Sequence, residues 1–509
     1  MSAAAHMEFP GRALRALTEG LLEAPPPPLE IRDITLDSRA AGPGSLFLAC
    51  RGRSRHGLAF AADAAARGAR AVLYEPPAES AEQLEALDPT VFVAAVPQLG
   101  ARAGLIADRF FGRPSQHLAV VAVTGTNGKT TCAWLCAQAL ARCGRPAGYI
   151  GTLGAGFPGA LAATAHTTSD AVTVHRQLAE LRRLGAGWVG MEVSSHALDQ
   201  GRIAGMRVHT AAFTNLTRDH LDYHGTMAAY GRAKARLFES EALVSRVINI
   251  DDEFGAELAA RADPGCLIAT TRRASARPPA QGHWVRAVQA RPQGAAVRMR
   301  VASSWGEAEL TVPLIGDFNA DNALTVLGIL LGAEVPLAAA CAALRECRAA
   351  PGRMEAFGGD AGRPLAIVDY AHTPDALAQA LRNARHHCRG RLRVVFGCGG
   401  DRDRGKRPLM GRIAAELADE IILTDDNPRN EPPERITADI LAGLAGHGAR
   451  IEHDRGRAIR EALAGSAAAD VVLIAGKGHE TYQTYGAERR PFSDQAVVRA
   501  ALGLEAAQP

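Results

Sequence analysis

Residues Leu118 to Thr131 read LAVVAVTGTNGKTT, an apolar run that passes directly into a glycine-rich turn and a lysine. Six apolar residues without polar alternation suit a parallel strand covered on both faces, and a helical pattern follows over Thr130 to Ala141. The turn Gly125-Thr126-Asn127-Gly128-Lys129-Thr130-Thr131 therefore lies where a strand gives way to a helix. Glycines let backbone N–H groups close around a phosphate, and the helix start adds a favourable dipole. Lys129 can neutralise phosphate charge, and the Thr130 hydroxyl can hold Mg²⁺. This is nucleotide-binding chemistry. The turn has two residues fewer between its glycines than G-x-x-x-x-G-K-[ST], and it does not fix which nucleotide is bound.

Working outward, further buried strands are expected at Trp188 to Val193, Ala211 to Thr214 and Val247 to Ile250. Around Ala296 to Val312 the pattern turns to alternation, which predicts an antiparallel hairpin added to the parallel sheet. A helix rich in Ala, Leu and Val then runs toward Leu344. From Gly352 onward, strands at Leu365 to Val368, Arg393 to Phe396, Ile421 to Leu423 and Val471 to Ala475 alternate with helical segments. That order predicts a doubly wound domain with ligands at the carboxyl ends of its strands. On the N-terminal side, GSLFLA (44–49) and AVLY (71–74) read as strands around a helical stretch, Leu58 to Arg67. The proline run Pro25 to Pro28 places the start of the folded part near Ile31. The expected fold class is α/β in three domains. They are a small N-terminal α/β domain (1–98), a central P-loop ATPase-like parallel sheet with an antiparallel addition (99–345), and a C-terminal Rossmann-like doubly wound domain (346–509).

Composition agrees with several globular domains: 509 residues, 47% apolar and 22% charged. With 57 basic against 54 acidic residues the net charge is only +3, so no broad field attracts nucleic acid or membrane lipid. Nine cysteines, an odd number with none in a C-x-x-C pair, read as reduced thiols. Cys132 and Cys136, four apart in a helical pattern, read as one buried face rather than a metal site. No run approaches the ~20 apolar residues of a membrane span, and no signal segment is read at the N-terminus. A cytoplasmic protein without a membrane span is expected.

Glu192 stands near the carboxyl end of its strand, from which an acid can reach a metal on bound phosphates. The next strand runs into Asn215-Leu-Thr-Arg-Asp-His-Leu-Asp-Tyr-His-Gly225, a concentration of titratable groups where sites usually lie. Together with TGTNGKT and the EVSSH strand end, this segment resembles the Mur ligase family. The resemblance spans about residues 35 to 485. It implies an ATP-dependent ligase using Mg²⁺, in which Lys129, Glu192, His220 and Lys234 are catalytic. Thr130, Glu192, His220 and Lys234 would bind the metal, Lys234 after reacting with CO₂ to form a carbamate. Without the family, Lys234 would pass as a solvated helix lysine. The resemblance also implies that Asn319 and Asn322 of GDFNADN lie near the adenine, and that Arg353 and Asp369 complete the nucleotide site. In isolation those asparagines read as helix caps.

Three loops of the third domain follow strands: Gly399-Gly-Asp-Arg402, Asp426-Asn427-Pro428-Arg429 and Gly476-Lys-Gly-His-Glu480. Asp-Asn-Pro-Arg resembles the motif of the branch that adds meso-diaminopimelate, a substrate with a distal carboxylate that lysine lacks. A planar Arg429 can clasp that group through two charge-assisted hydrogen bonds, and Glu480 can accept from the distal ammonium. An unpaired guanidinium would cost about 1–3 kcal/mol or more, which is tens- to hundreds-fold in selectivity. Arg402 and Gly476 would line the same pocket. By resemblance, Leu36 and Ser38 serve a uridine site, while Thr167, Thr168, Ser194, Gln200 and Arg202 hold the muramoyl dipeptide. Two departures stand out: His56 in Arg53-Ser54-Arg55-His56-Gly57, where Asp is common, and His166, where Asn is common.

The implied reaction joins meso-diaminopimelate to UDP-N-acetylmuramoyl-L-alanyl-D-glutamate through an acyl phosphate. The partners are these small molecules and ATP, with no nucleic acid, and a monomer is expected. Rival readings are the same enzyme adding L-lysine, a folylpolyglutamate synthetase, and a P-loop module that binds without catalysis. Arg429 opposes the first, the first-domain segment the second, and Glu192, His220 and Lys234 together the third.

Overall fold

A computed structural model describes residues 8–504, apart from 53–54, 77–81, 86, 165, 274–275, 277–278, 294 and 361. Two compact units, Met1–Ala269 and Thr270–Pro509, are described in turn. Among the described residues no helix is long and apolar enough to cross a membrane.

The first unit opens with a four-stranded parallel sheet of β1 (Asp33–Thr35), β2 (Ser45–Ala49), β3 (Ala71–Tyr74) and β4 (Phe92–Ala95), in that order. Leu46, Leu48 and Leu73 enter one apolar cluster and Phe47, Ala49 and Val72 another, so alternate side chains bury both faces. The folded part begins before Ile31, contrary to the expectation. Arg12–Ala13 pairs antiparallel with Glu30–Ile31, and Leu14 and Leu17 are buried against Ile31, Ile34 and Leu46. The prolines at 25–28 occupy the connection between those two short strands, where no ladder donor is needed.

Helix α1 (Leu99–Phe110) leads to β5 (Ala119–Thr124) and α2 (Lys129–Arg142). With β6 (Ala147–Gly151), β7 (Trp188–Glu192), β8 (Val208–Phe213) and β9 (Ser245–Asn249), β5 forms a parallel sheet ordered β6-β7-β5-β8-β9. Cys132 and Cys136 lie buried on α2 as expected. Gly190 of β7 is matched to that helix: a Cβ there would sit 2.4 Å from the Ala133 carbonyl oxygen. The phosphate-loop helix can therefore lie close on the sheet. Helix α3 (Ala171–Arg183) packs on α1.

The second unit holds an antiparallel meander of β10 (His283–Gln293), β11 (Ala296–Ser303) and β12 (Gly306–Val312), one strand more than the sequence suggested. The Ala/Leu/Val helix is two helices, α4 (Phe318–Gly332) and α5 (Leu337–Arg345). Glu334 in the left-handed region and Pro336 at the second helix's N-cap break the run. A six-stranded sheet follows, ordered β13-β14-β18-β15-β16-β17, from β13 (Glu355–Gly358), β14 (Leu365–Asp369), β15 (Leu392–Phe396), β16 (Glu420–Leu423), β17 (Arg450–Ile451) and β18 (Val471–Ala475). All pairs are parallel except β13 with β14. Ile367, Val394 and Leu473 enter one core while Val368, Val395 and Ile474 enter the other. The doubly wound expectation holds, and its ligand loops leave the carboxyl ends of β14, β15, β16 and β18.

One buried pair in the first unit titrates unusually. Asp108 on α1 and His175 on α3 face each other, with Nδ1 3.5 Å from Oδ1, and each of these atoms lacks a hydrogen-bond partner. His175 Nε2 is 2.9 Å from the Ala204 carbonyl oxygen, so that nitrogen carries a proton and Nδ1 accepts. Burial raises the Asp108 carboxyl to about 6, against the pull of Arg113 and Arg109. Burial also lowers the His175 imidazole to about 4. Stability gained by the raised acid is lost as pH rises from about 4 through 6. Stability lost to the depressed imidazole is recovered over nearly the same span, so the two effects offset. We predict that Asp108→Asn, which keeps a donor toward Nδ1 but cannot titrate, leaves the histidine effect alone. Its melting temperature should then climb between about pH 4 and 6.5 relative to the parent. Parallel profiles for the two proteins would refute this pairing.

Candidate active site

The phosphate turn is held open by its glycines and by the segment after β8. Gly125 has φ +150, and a Cβ there would lie 1.9 Å from Thr214 Oγ1. Thr214 Oγ1 donates to the Asn127 carbonyl (2.6 Å). Asn215 accepts from the Thr126 and Asn127 amides, through its carbonyl (2.8 Å) and its side chain (2.9 Å). Two of the amides expected to face phosphate are thus engaged with Asn215. Lys129, Thr130 and Thr131 open α2, where the first turn of a helix presents its N–H groups at the N-terminus. Lys129 Nζ folds back on the Gly125 and Thr126 carbonyls at 2.9 and 2.8 Å.

Glu192, buried at the end of β7, gathers four donors. Thr130 Oγ1 donates to Oε2 (2.8 Å), and the Thr152 hydroxyl does so at 3.2 Å. Oε1 accepts from the Thr152 amide (2.8 Å) and from the Tyr149 hydroxyl. Tyr149 and Thr152 were not singled out in the sequence. Their only signal is that AGYIGT, too, is an apolar run ending at the same sheet edge. A hydroxyl and a carboxylate in contact form the hard-oxygen donor set that suits Mg²⁺.

Lys234 is buried on the helix Met227–Ala235, which Thr226 caps. Its Nζ donates to the Gly125 carbonyl at 2.8 Å and lies 4.5 Å from the centre of the Tyr230 ring. Burial, and secondarily the charge of Lys129, push this amine down to about 6. His220 sits apart from Glu192: its side chain is 45% exposed and 3.5 Å from Asp219. Among the described residues no hydrogen bond joins it to Glu192 or Thr130. Its ring stands edge-on to His196 at 4.8 Å and 6.1 Å from Tyr230, whose hydroxyl meets Thr126 Oγ1 at 3.2 Å. Among the described residues, no cluster of three or more His, Cys, Asp or Glu is arranged to hold a metal.

The five residues that the family resemblance assigned to the dipeptide lie together. Thr167 Oγ1 accepts from Thr152, and Thr168 Oγ1 donates to the Glu192 carbonyl while accepting from the Ser194 amide. Arg202 donates to the Thr168 carbonyl (2.7 Å) and to Gln200 Oε1. In the first sheet's loops, Ser38 opens a short 3₁₀ turn after the half-buried Leu36. His56 explains its own departure from the family pattern. Its Nδ1 accepts from the Leu58 amide at 3.1 Å, capping a turn as an Asp carboxylate would, and its Nε2 meets the Glu75 carbonyl. Arg53 and Ser54 lie outside the described residues, and His166 is exposed.

In the second unit, Asn319 and Asn322 are buried within the first turns of α4 rather than capping it. Asn319 donates to the Ile315 carbonyl and Asn322 to Asn319 Oδ1. Asp369, its carboxyl raised by burial against the pull of Arg353, accepts from the Met354 and Ala371 amides. Arg353 lies over the Tyr370 ring at 4.8 Å. The three strand-end loops of the second unit also meet. Asn427 donates to Glu480 Oε2 (2.9 Å), and buried Lys477, which sequence reasoning passed over, donates to the same oxygen at 2.7 Å. Arg429 Nη1 donates to the Gly400 carbonyl at 2.7 Å, and Gly400 N donates to the Asn427 carbonyl, just before Pro428. Asp426 is buried beside Gly476, while Arg402 is exposed near Gly399.

Comparison with known proteins agrees with this arrangement. Residues 30–108 match the model for the Mur ligase family catalytic domain, 123–330 the Mur ligase middle domain, and 352–478 the Mur ligase glutamate ligase domain. The chain is 50% identical, over 93% of its length and 95% of the relative's, to the UDP-N-acetylmuramoyl-L-alanyl-D-glutamate–2,6-diaminopimelate ligase of Alkalilimnicola ehrlichii. The protein of the same name from Xanthomonas campestris pv. campestris is 48% identical over 93% of this chain and 94% of its own. A solved structure of a ligase with that name superposes with a TM-score of 0.70 at 35% identity, covering 97% of this chain and 99% of its own. A phosphate turn after a central strand, a donor-saturated glutamate beside it and this breadth of similarity lead to one conclusion: the chain belongs to the Mur ligase family.

Proposed function

We propose that this enzyme uses ATP to join meso-2,6-diaminopimelate to UDP-N-acetylmuramoyl-L-alanyl-D-glutamate in peptidoglycan precursor synthesis. The observation that carries the choice of amino acid is that the three loops join at one sheet edge: Arg429 donates to Gly400, Gly400 donates to Asn427, and Asn427 and Lys477 both donate to Glu480. Arg429 commits Nη1 to Gly400, so a distal carboxylate would be taken on the remaining Nε and Nη2 edge, as two parallel charge-assisted bonds. Glu480 Oε2 is held by Lys477 and Asn427, and Oε1 is the oxygen suited to the neighbouring ammonium. The lysine-adding alternative offers Arg429 no anion. The division into domains 1–98, 99–345 and 346–509 is part of this reading. Nine free thiols suit a cytoplasmic setting.

ATP is the co-substrate: the D-glutamyl carboxylate oxygen takes its γ-phosphoryl group, the bond to the β-phosphate oxygen breaks, and an acyl phosphate and ADP result. Arg202, Gln200, Thr167, Thr168 and Ser194 orient the nucleotide dipeptide, and the α2 amides with Lys129 hold phosphate oxygens. The diamine's amino group then forms the amide bond, loses a proton and expels inorganic phosphate. Mg²⁺ would be held by Thr130 and Glu192, with His220 and a carbamylated Lys234 completing its surroundings, and would supply charge neutralisation at the phosphates. Lys234 suits that role only as an anion, since a buried ammonium would repel the metal. Carbamate formation joins the neutral amine nitrogen to the carbon of CO₂ and releases one proton to water.

Supplied with ATP, the nucleotide dipeptide and both diamines in competition, the enzyme should give a product whose mass contains diaminopimelate. Arg429→Ala should raise the KM for diaminopimelate by roughly 10- to 100-fold with ATP binding nearly intact. Comparable use of L-lysine by the parent enzyme would sink the assignment. For the carbamate, ¹³C-bicarbonate should give a carbamate resonance that Lys234→Met abolishes, with kcat down at least about 100-fold. A resonance that persists in the variant, or a variant within tenfold of the parent, would remove Lys234 from this role.

A further inference from the structure

Among the described residues, Arg429 is one of eight non-glycine residues in the left-handed region, with φ +54. That conformation disfavours a side chain unless neighbouring structure enforces it. The enforcing element is a hairpin distant in sequence, β19 (Tyr482–Tyr485) with β20 (Glu488–Pro491). Arg429 N donates to the Thr484 carbonyl at 3.0 Å, and Gly486 N donates to the Arg429 carbonyl at 2.6 Å, so both backbone groups of the arginine are fastened to the hairpin. Thr484 N donates to Asn427 Oδ1 (3.0 Å), and buried Gln483 donates to the Asp425 and Asp426 carbonyls (3.1 and 3.0 Å).

Asp425 closes the arrangement. Its buried carboxylate accepts from the Tyr485 hydroxyl at 3.0 Å on Oδ2 and from His453 Nδ1 at 2.7 Å on Oδ1. Each oxygen is therefore engaged within the protein. On the other side, a Cβ at Gly399 would stand 2.8 Å from Arg429 Nη1, so the guanidinium lies where only glycine leaves room. The direction of the arginine is set by contacts on two sides, one of them ending on the Asp425–Tyr485 hydrogen bond.

We propose that Asp425 and Tyr485 are positioning residues for Arg429, and that through the hairpin they set the enzyme's discrimination between diamines by the acidic group at the distal end. This rests on the amino-acid pocket proposed above. Neither residue needs to touch substrate: a turn released from the hairpin lets Arg429 relax toward ordinary φ, and the two-pronged grip on a carboxylate loosens.

The test uses the full-length enzyme and Tyr485→Phe, which removes one hydroxyl while keeping the ring that Arg490 covers at 4.6 Å. The KM for meso-diaminopimelate should rise about tenfold and the preference over L-lysine should fall by a similar factor. The KM for ATP and kcat at saturating diamine should stay within about twofold of the parent. Asp425→Asn should act in the same direction, and Tyr485→Phe placed in an Arg429→Ala background should add nothing further. If Arg429→Ala impairs diaminopimelate use and Tyr485→Phe does not, the positioning role is wrong while the pocket stands. If neither variant affects it, both readings are wrong. A Tyr485→Phe effect that persists undiminished without Arg429, or that falls equally on ATP and diamine, overturns the positioning role as well.

Discussion

The central sheet is organised around a carboxylate that would be costly to bury alone. Glu192 is 1% exposed, and a buried acid is tolerated only when donors replace the water it has lost. Four donors do so, and they come from three places in the chain: the start of α2, the end of β6 and the loop that follows it. Its own backbone carbonyl accepts from Thr168, which in turn receives the Ser194 amide. Satisfying one acid therefore fixes the relative placement of the glycine-rich turn, Thr168 and Ser194. Positioning for phosphoryl transfer depends on such preorganisation more than on any single reactive group.

Much of this was legible in the sequence, and the reason is locality. The phosphate turn, the strand-end glutamate and the doubly wound order of the second unit are encoded in short windows whose period and glycine placement have one structural solution. Tyr149 and Thr152 were not legible, because they reach Glu192 from 43 and 40 positions away and nothing in AGYIGT marks a polar task. The start of the fold was misjudged for a related reason. Prolines at 25–28 argue against regular structure at those residues, but they are silent about Leu14 and Leu17, which bury themselves against a sheet formed later in the chain.

Departures from a family pattern need the same physical reading. His56 looks like the loss of an acid, yet an imidazole nitrogen accepting from the Leu58 amide does the work of a capping carboxylate without its charge. The loop around His56 keeps its turn, and the substitution bears on charge more than on shape. His220 is the opposite case. Its motif is intact, but its exposed ring is linked to the phosphate turn through Tyr230 rather than through Glu192.

The two lysines at the turn show why charge state matters more here than residue type. Lys129 and Lys234 both donate to the carbonyl oxygen of Gly125, at 2.9 and 2.8 Å. Two ammonium groups converging on one oxygen repel strongly where little water screens them. Lys129 is half-buried, but Lys234, 1% exposed, has no comparable access to solvent. Burial and the neighbouring cation act in the same direction on it, and both favour the uncharged amine. A neutral lysine held against a peptide carbonyl still donates its hydrogen bond, so the fold tolerates it. The repulsion that would make a second cation unwelcome at this turn also keeps the amine's lone pair free of a proton.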